Sequence, residues 1–184
     1  MGPNRGTSAF SGKFDGGSFK IDSLFINRTA DNLNLGLFGY VTGIISNTGI
    51  TNAKVTGGGS AIVGGLAGFT TGAISSCYAS NGTITGGDEA PVGGLVGYQG
   101  EGTINSCYAS GGTNTAGSAN LSGGVGGLAG QVIGTISACY VSGGMNKTGN
   151  GIAGGLVGYQ RNGTISACYK GRTTYTNLRG SSRG

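Results

Sequence analysis

A Gly-Leu step recurs at a nearly fixed interval along this chain, and that recurrence constrains the fold more than any other feature. The leucines fall at Leu37, Leu66, Leu95, Leu128 and Leu156, which lie 29, 29, 33 and 28 residues apart. Four cysteines keep the rhythm independently, with Cys77, Cys107, Cys139 and Cys168 separated by 30, 32 and 29 residues. In the copy before Cys77, GIISNTGITN aligns with GAISSCYASN, so Thr48 holds the cysteine place. The long interval contains GGTNTAGSANLSGG, Gly111 to Gly124, whose small polar residues read as a loop inserted between two regular units. A fixed period of roughly 20 to 50 residues marks a repeat architecture, in which each unit buries its apolar face only against its neighbours.

Glycine decides what the unit is made of. Of 184 residues 44 are Gly, each costing up to about 1 kcal/mol in a helix interior, and no i, i+3, i+4, i+7 stripe is present. Disordered chains lack apolar residues to offset ordering entropy, but this one is 36% hydrophobic, with Ile, Leu, Val, Tyr and Phe spread through the copies. Each unit offers three short apolar runs, as in VGGLVGY, GTINSCYA and a weaker third such as GTITGG after Cys77. At about 3.3 Å per residue a unit traces roughly 95 Å, enough for three strands and three bends closing one coil, with coils stacked about 4.8 Å apart. The expectation is an all-β parallel β-solenoid of about 29 residues per coil and roughly six coils. A propeller blade needs about 40 residues or more, and the L-x-x-L-x-L-x-x-N frame of leucine-rich repeats is missing.

In a solenoid a residue that fits one coil fits the next, so equivalent side chains form ladders. Leu66, Leu95, Leu128 and Leu156 are expected to form one inward ladder, and Ile74, Ile104, Ile136 and Ile165 another. The set Tyr78, Tyr108, Tyr140 and Tyr169 lies four residues after the isoleucines, so strict alternation puts Tyr and Ile on one face and Cys on the other. A bend inside SCYAS reverses that assignment, and both alternatives stand at the level of sequence.

At these residues the chain resembles the GLUG repeats, named for a Gly-Leu-any-Gly core seen here as GLFG, GLAG, GLVG, GLAG and GLVG. The resemblance covers roughly residues 8 to 170. It includes FSGKFDGGSFKIDSLFIN, Phe10 to Asn27, which looks like the segment that precedes the first such repeat. It implies a right-handed β-helix of the kind found in large bacterial secreted or surface proteins, including adhesin-like proteins and the non-catalytic parts of some immunoglobulin A peptidases. The chain divides accordingly into a pre-repeat segment 1–34, five repeats over 35–170 and a polar basic tail 171–184. Departures are Thr48 for Cys, Gln131 where Tyr40, Phe69, Tyr98 and Tyr159 set an aromatic place, and a C-terminal TTYTNLRGSSRG that matches nothing in the repeat.

Catalytic chemistry finds few materials. The absence of His removes the commonest general base, the Ser-His and Cys-His pairs and the zinc signature of a metallopeptidase. The acids are Asp15, Asp22, Asp31, Asp88, Glu89 and Glu101, and their placement does not suggest the converging pair that glycan hydrolysis requires. GVGGLA, Gly124 to Ala129, fits a dinucleotide fingerprint formally, but a strand-like run follows it and a coil corner is the better reading. Net charge is +5, yet the basic residues are scattered except near the end, which favours a solvated tail over a nucleic-acid surface. For the four cysteines, two disulfides compete with a column of buried thiols, and parallel register favours the thiols because the disulfide dihedral near 90° is hard to reach there. One ligand per coil along a line does not make a tetrahedral metal site.

Five N-x-S/T sequons stand at Asn27, Asn81, Asn120, Asn146 and Asn162. No apolar run is long enough to span a membrane, and the start MGPNRGTSAFSGKF has no apolar core. With export implied by the resemblance, the chain is expected to be a processed product or a piece of a longer protein. The expected function is a non-enzymatic structural segment at the cell surface or outside the cell, without cofactors. It presents binding surfaces, such as the Gly111–Gly124 loop, to a host or cell-surface protein or glycan. The alternatives are a self-associating subunit stacking coil on coil, a glycan-binding or glycan-processing β-helix and, more remotely, an ice-binding row of Thr103, Thr135 and Thr164 that Ala73 and Ile44 break.

Overall fold

The computed structural model describes residues 8–29, 32–118 and 123–177 and contains no helix among them. The chain winds as a parallel β-solenoid in which each coil contributes one strand to each of five sheets. In the third coil these strands are Ala73–Ser75, Tyr78–Ser80, Thr83–Thr85, Val92–Gly93 and Val96–Gln99, taken as sheets one to five in that order. Sheets one to three have six strands, sheets four and five have five. Register repeats from coil to coil: Ile45, Ile74, Ile104, Ile136 and Ile165 pair in one line across sheet one.

Five strands per coil replace the three expected from the apolar runs, because two of those runs bend in the middle. GTINSCYA divides at Ser106, whose φ of 53° turns the chain between sheets one and two. VGGLVGY divides at its Gly-Gly-Leu into a tight arch that lays sheet four against sheet five. The contact is backbone on backbone. A Cβ on Gly93 would lie 2.0 Å from the Val96 carbonyl oxygen, and one on Gly97 would lie 2.7 Å from the Val63 nitrogen. The glycine just before the repeated core and the last glycine of that core are therefore required by close approach of the two sheets' backbones.

Leucine at the tip of the arch points the other way, into the core. Leu66, Leu95 and Leu128 have no exposed surface, and neither do Ile74, Ile104 and Ile136. Their equivalents in the last coil, Leu156 and Ile165, are half-buried. Residues Lys13–Asp15, Lys20–Asp22 and Phe25–Arg28 form the first strands of sheets one to three, so the pre-repeat segment is itself a coil. It packs Phe10 and Phe14 on Phe38, at ring-centre distances of 5.1 and 5.3 Å.

Two boundaries differ from the sequence reading. Thr174–Asn177 pairs with Met145–Thr148, so sheet three runs on into the segment read as tail; backbone pairing needs no apolar run. Within the expected loop Gly111–Gly124, Thr113–Ala116 is a strand of sheet three and Gly124 opens one of sheet four. Residues 119–122 of that loop lie outside the described residues.

Candidate functional site

The outward face beside sheets one and two is set by the bend residues. Ser76, Ser106, Ala138 and Ala167 all have φ between 50° and 53°. This left-handed step breaks strand alternation, so Cys follows Ile into the interior and Tyr emerges. Cys77, Cys107 and Cys139 are 1% exposed, while Tyr78, Tyr108 and Tyr140 are half-buried and Tyr169 is 64% exposed. Of the two assignments open in the sequence, the bend inside SCYAS is the one adopted.

The cysteines are free thiols joined in a hydrogen-bonded column. Each Sγ donates to the carbonyl two residues back, at 3.2 Å for Cys77 and 3.1 Å for Cys107, Cys139 and Cys168. The sulfurs of Cys107, Cys139 and Cys168 each accept the backbone N–H of the preceding cysteine at 3.4 Å. Sulfur thus satisfies a backbone donor that the bend leaves without a ladder partner. Thr48 keeps half of this device, its hydroxyl donating to the Ser46 carbonyl at 2.8 Å. The sulfurs of Cys139 and Cys77 on either side, and then burial, push the Cys107 thiol above the usual range.

Outside, the tyrosines stack. Centres of successive rings from Tyr78 to Tyr169 lie 4.9, 4.9 and 5.2 Å apart, with planes within 7° of parallel. The column ends on Gly49, where a Cβ would fall 2.3 Å from the Tyr78 ring. Ser80, Ser110 and Ser142 run in register beside it, and Thr103, Thr135 and Thr164 form a parallel row on sheet one. Burial, then the neighbouring phenols of Tyr140 and Tyr78, raise the Tyr108 pKa. The result is a strip of ring edges and phenol groups flanked by hydroxyls, suited to edge contact and hydrogen bonding with an extended partner.

The aspartates among the described residues are spent on turns. Asp22 accepts from Thr51, Asn52 and Ser23, and Asp15 from the Gly17 N–H and Asn47. Asp88 accepts the Ser118 N–H at 2.8 Å. Asp31 lies outside the described residues. No three His, Cys, Asp or Glu converge to hold a metal among the described residues.

Sequence reasoning missed the buried amides. Asn114 donates to the Gly126 carbonyl and to Asn146, which donates to Gly154. Gln99 donates to the carbonyls of Gly102 and Thr135. For Asn114 the signal was a polar residue standing in register with Val55 and Ile84. Asn146, one of the five sequons, is 1% exposed and so unsuited to carry a glycan in the folded chain.

No family model matches this chain, and no curated protein does. Among solved structures, a candidate immunoglobulin A1 protease from Bacteroides ovatus matches with a TM-score of 0.60. Identity is 21% over 98% of this chain and 70% of that one, a likeness of fold alone.

Proposed function

We propose that this chain is a non-enzymatic structural repeat segment of an extracellular or cell-surface bacterial protein, an adhesin-like stalk that presents repeating outward surfaces. The observation that carries the reading is the tyrosine column, which repeats one element of surface in four successive coils. The GLUG-like core supports it. So does the Bacteroides ovatus neighbour, whose name joins this fold to a protease acting on immunoglobulin A1; with no His in this chain, the part played here is scaffold. Antibody raised against the folded chain should label intact source cells, or bind the culture medium. Labelling only after lysis would overturn the reading.

A second reading is end-to-end self-association. It is favoured by the last coil, where Cys168, Ile165 and Leu156 are half-buried and Tyr169 stands exposed, although their equivalents are covered by a following coil. Light scattering over a concentration series decides it. Growth beyond 17.9 kDa supports stacking, and a constant monomer rejects it.

A further inference from the structure

A second aromatic column runs along sheet five, and it is broken once. Tyr40, Phe69 and Tyr98 stand in register with ring centres 4.9 and 5.0 Å apart, then Gln131 takes the place before Tyr159. At the break, where sheet five meets the turns leading into sheet four, a cleft of about 240 Å³ opens. Its lining includes Asn32, Ile62, Glu89, Pro91, Tyr98 and Gln131, drawn from four successive coils.

Two observations mark the cleft as built for a ligand. Gln131 is only 8% exposed, and the little of it that is open lines the cleft. There its amide can both donate and accept a hydrogen bond. Glu89, on the wall, has a φ of 60°, a conformation rare for glutamate, fixed by its N–H bond to the Ser118 carbonyl at 3.0 Å.

The lining also selects the ligand. An amide that donates and accepts, a carboxylate that accepts, a second amide and an aromatic wall together match a ring bearing several hydroxyls and an apolar C–H face. The volume is below the roughly 300 Å³ at which pockets for drug-sized molecules begin, which fits one small ring. A cationic side chain fits less well. The lining holds one carboxylate among the described residues, and the positive charge of Arg161 acts on the Tyr98 phenol, opposing the rise that burial causes.

We propose that this cleft binds one neutral pyranose unit of a glycan, with Gln131 and Glu89 taking its hydroxyls and Tyr98 packing on its ring. The proposal goes beyond the stalk reading and does not depend on where the chain resides. Saturation-transfer NMR tests it with glucose, galactose, mannose and N-acetylglucosamine, each free and as its methyl glycoside, and with lysine amide as the cationic probe. Transfer to at least one sugar is expected; preference for the glycoside identifies a chain-borne unit, and equal transfer a free sugar. Gln131→Tyr, which restores the aromatic column and fills the cleft, should weaken binding about tenfold or more. Glu89→Gly, which relieves the backbone while removing the carboxylate, should do the same and keeps the test open should the first variant fold poorly. No transfer to any sugar, transfer to lysine amide alone, or binding undiminished in folded variants would overturn the proposal.

Discussion

In the five coils after the first, the passage from sheet one to sheet two turns on a single residue at φ near 50°, and that residue decides what the molecule shows to solvent. Serine and alanine hold the place in four coils and Asn47 in another. Only the asparagine advertises a left-handed bend, which is why the sequence left the faces of Cys and Tyr open. The cysteine column makes a graded prediction. Cys107→Ala removes the acceptor of the buried Cys77 N–H and should cost about 1–3 kcal/mol in urea unfolding. Cys107→Thr reproduces the Thr48 arrangement and should cost less, about 1 kcal/mol. Alkylation should be slow in the native state and should count four labels in denaturant; a count of zero there would contradict free thiols. Asp22 makes a second prediction. Its hydrogen bonds from Thr51, Asn52 and Ser23 hold its folded pKa below 3.8, so its stabilising contribution is complete above that value and fades as pH falls through the lower folded pKa. Asp22→Asn should flatten the acid limb of a pH–stability profile, and an unchanged limb would assign the acid sensitivity elsewhere.

At the scale of the element, the Gly-Leu-x-Gly core is an arch between two sheets in backbone contact. The recurrence of that core was legible in sequence, and so were the parallel coils and the strand material in each. The number of strands was not, because an arch and a left-handed corner both lie within runs of small and apolar residues that read as continuous. The cleft at Gln131 was visible only as a departure from an aromatic place; that the side chain lines a cleft depends on turns contributed by other coils. Gly97→Ala puts a Cβ within 2.8 Å of the Gly68 oxygen and the Ile62 side chain as well as near the Val63 nitrogen. Two of the three are backbone atoms that cannot swing aside, so the change should cost about 1–3 kcal/mol or more. Gly82→Ala, whose nearest neighbour is 3.4 Å away, should cost under about 1 kcal/mol. Equal urea midpoints for the two variants would refute the arch as the reason for the glycine.

The whole molecule is a stack, and its functional reading rests on that. Columns of tyrosine, threonine and serine form a continuous surface only if each coil sits one strand spacing above the last, in the same register. In a stack, residues far apart in sequence lie on one line, and their separation grows with the number of coils crossed. Phe25, Lys54, Thr83, Thr113, Met145 and Thr174 pair in such a line across sheet three. Nitroxide labels carried on non-natural amino acids at Phe25 paired in turn with Thr113, Met145 and Thr174 leave the native thiols intact. Pulsed electron spin resonance should give separations of about 14, 19 and 24 Å, a constant increment near 4.8 Å per coil. Three distances that fail to rise in equal steps would contradict the stacked solenoid, and with it the surfaces on which the proposed functions depend.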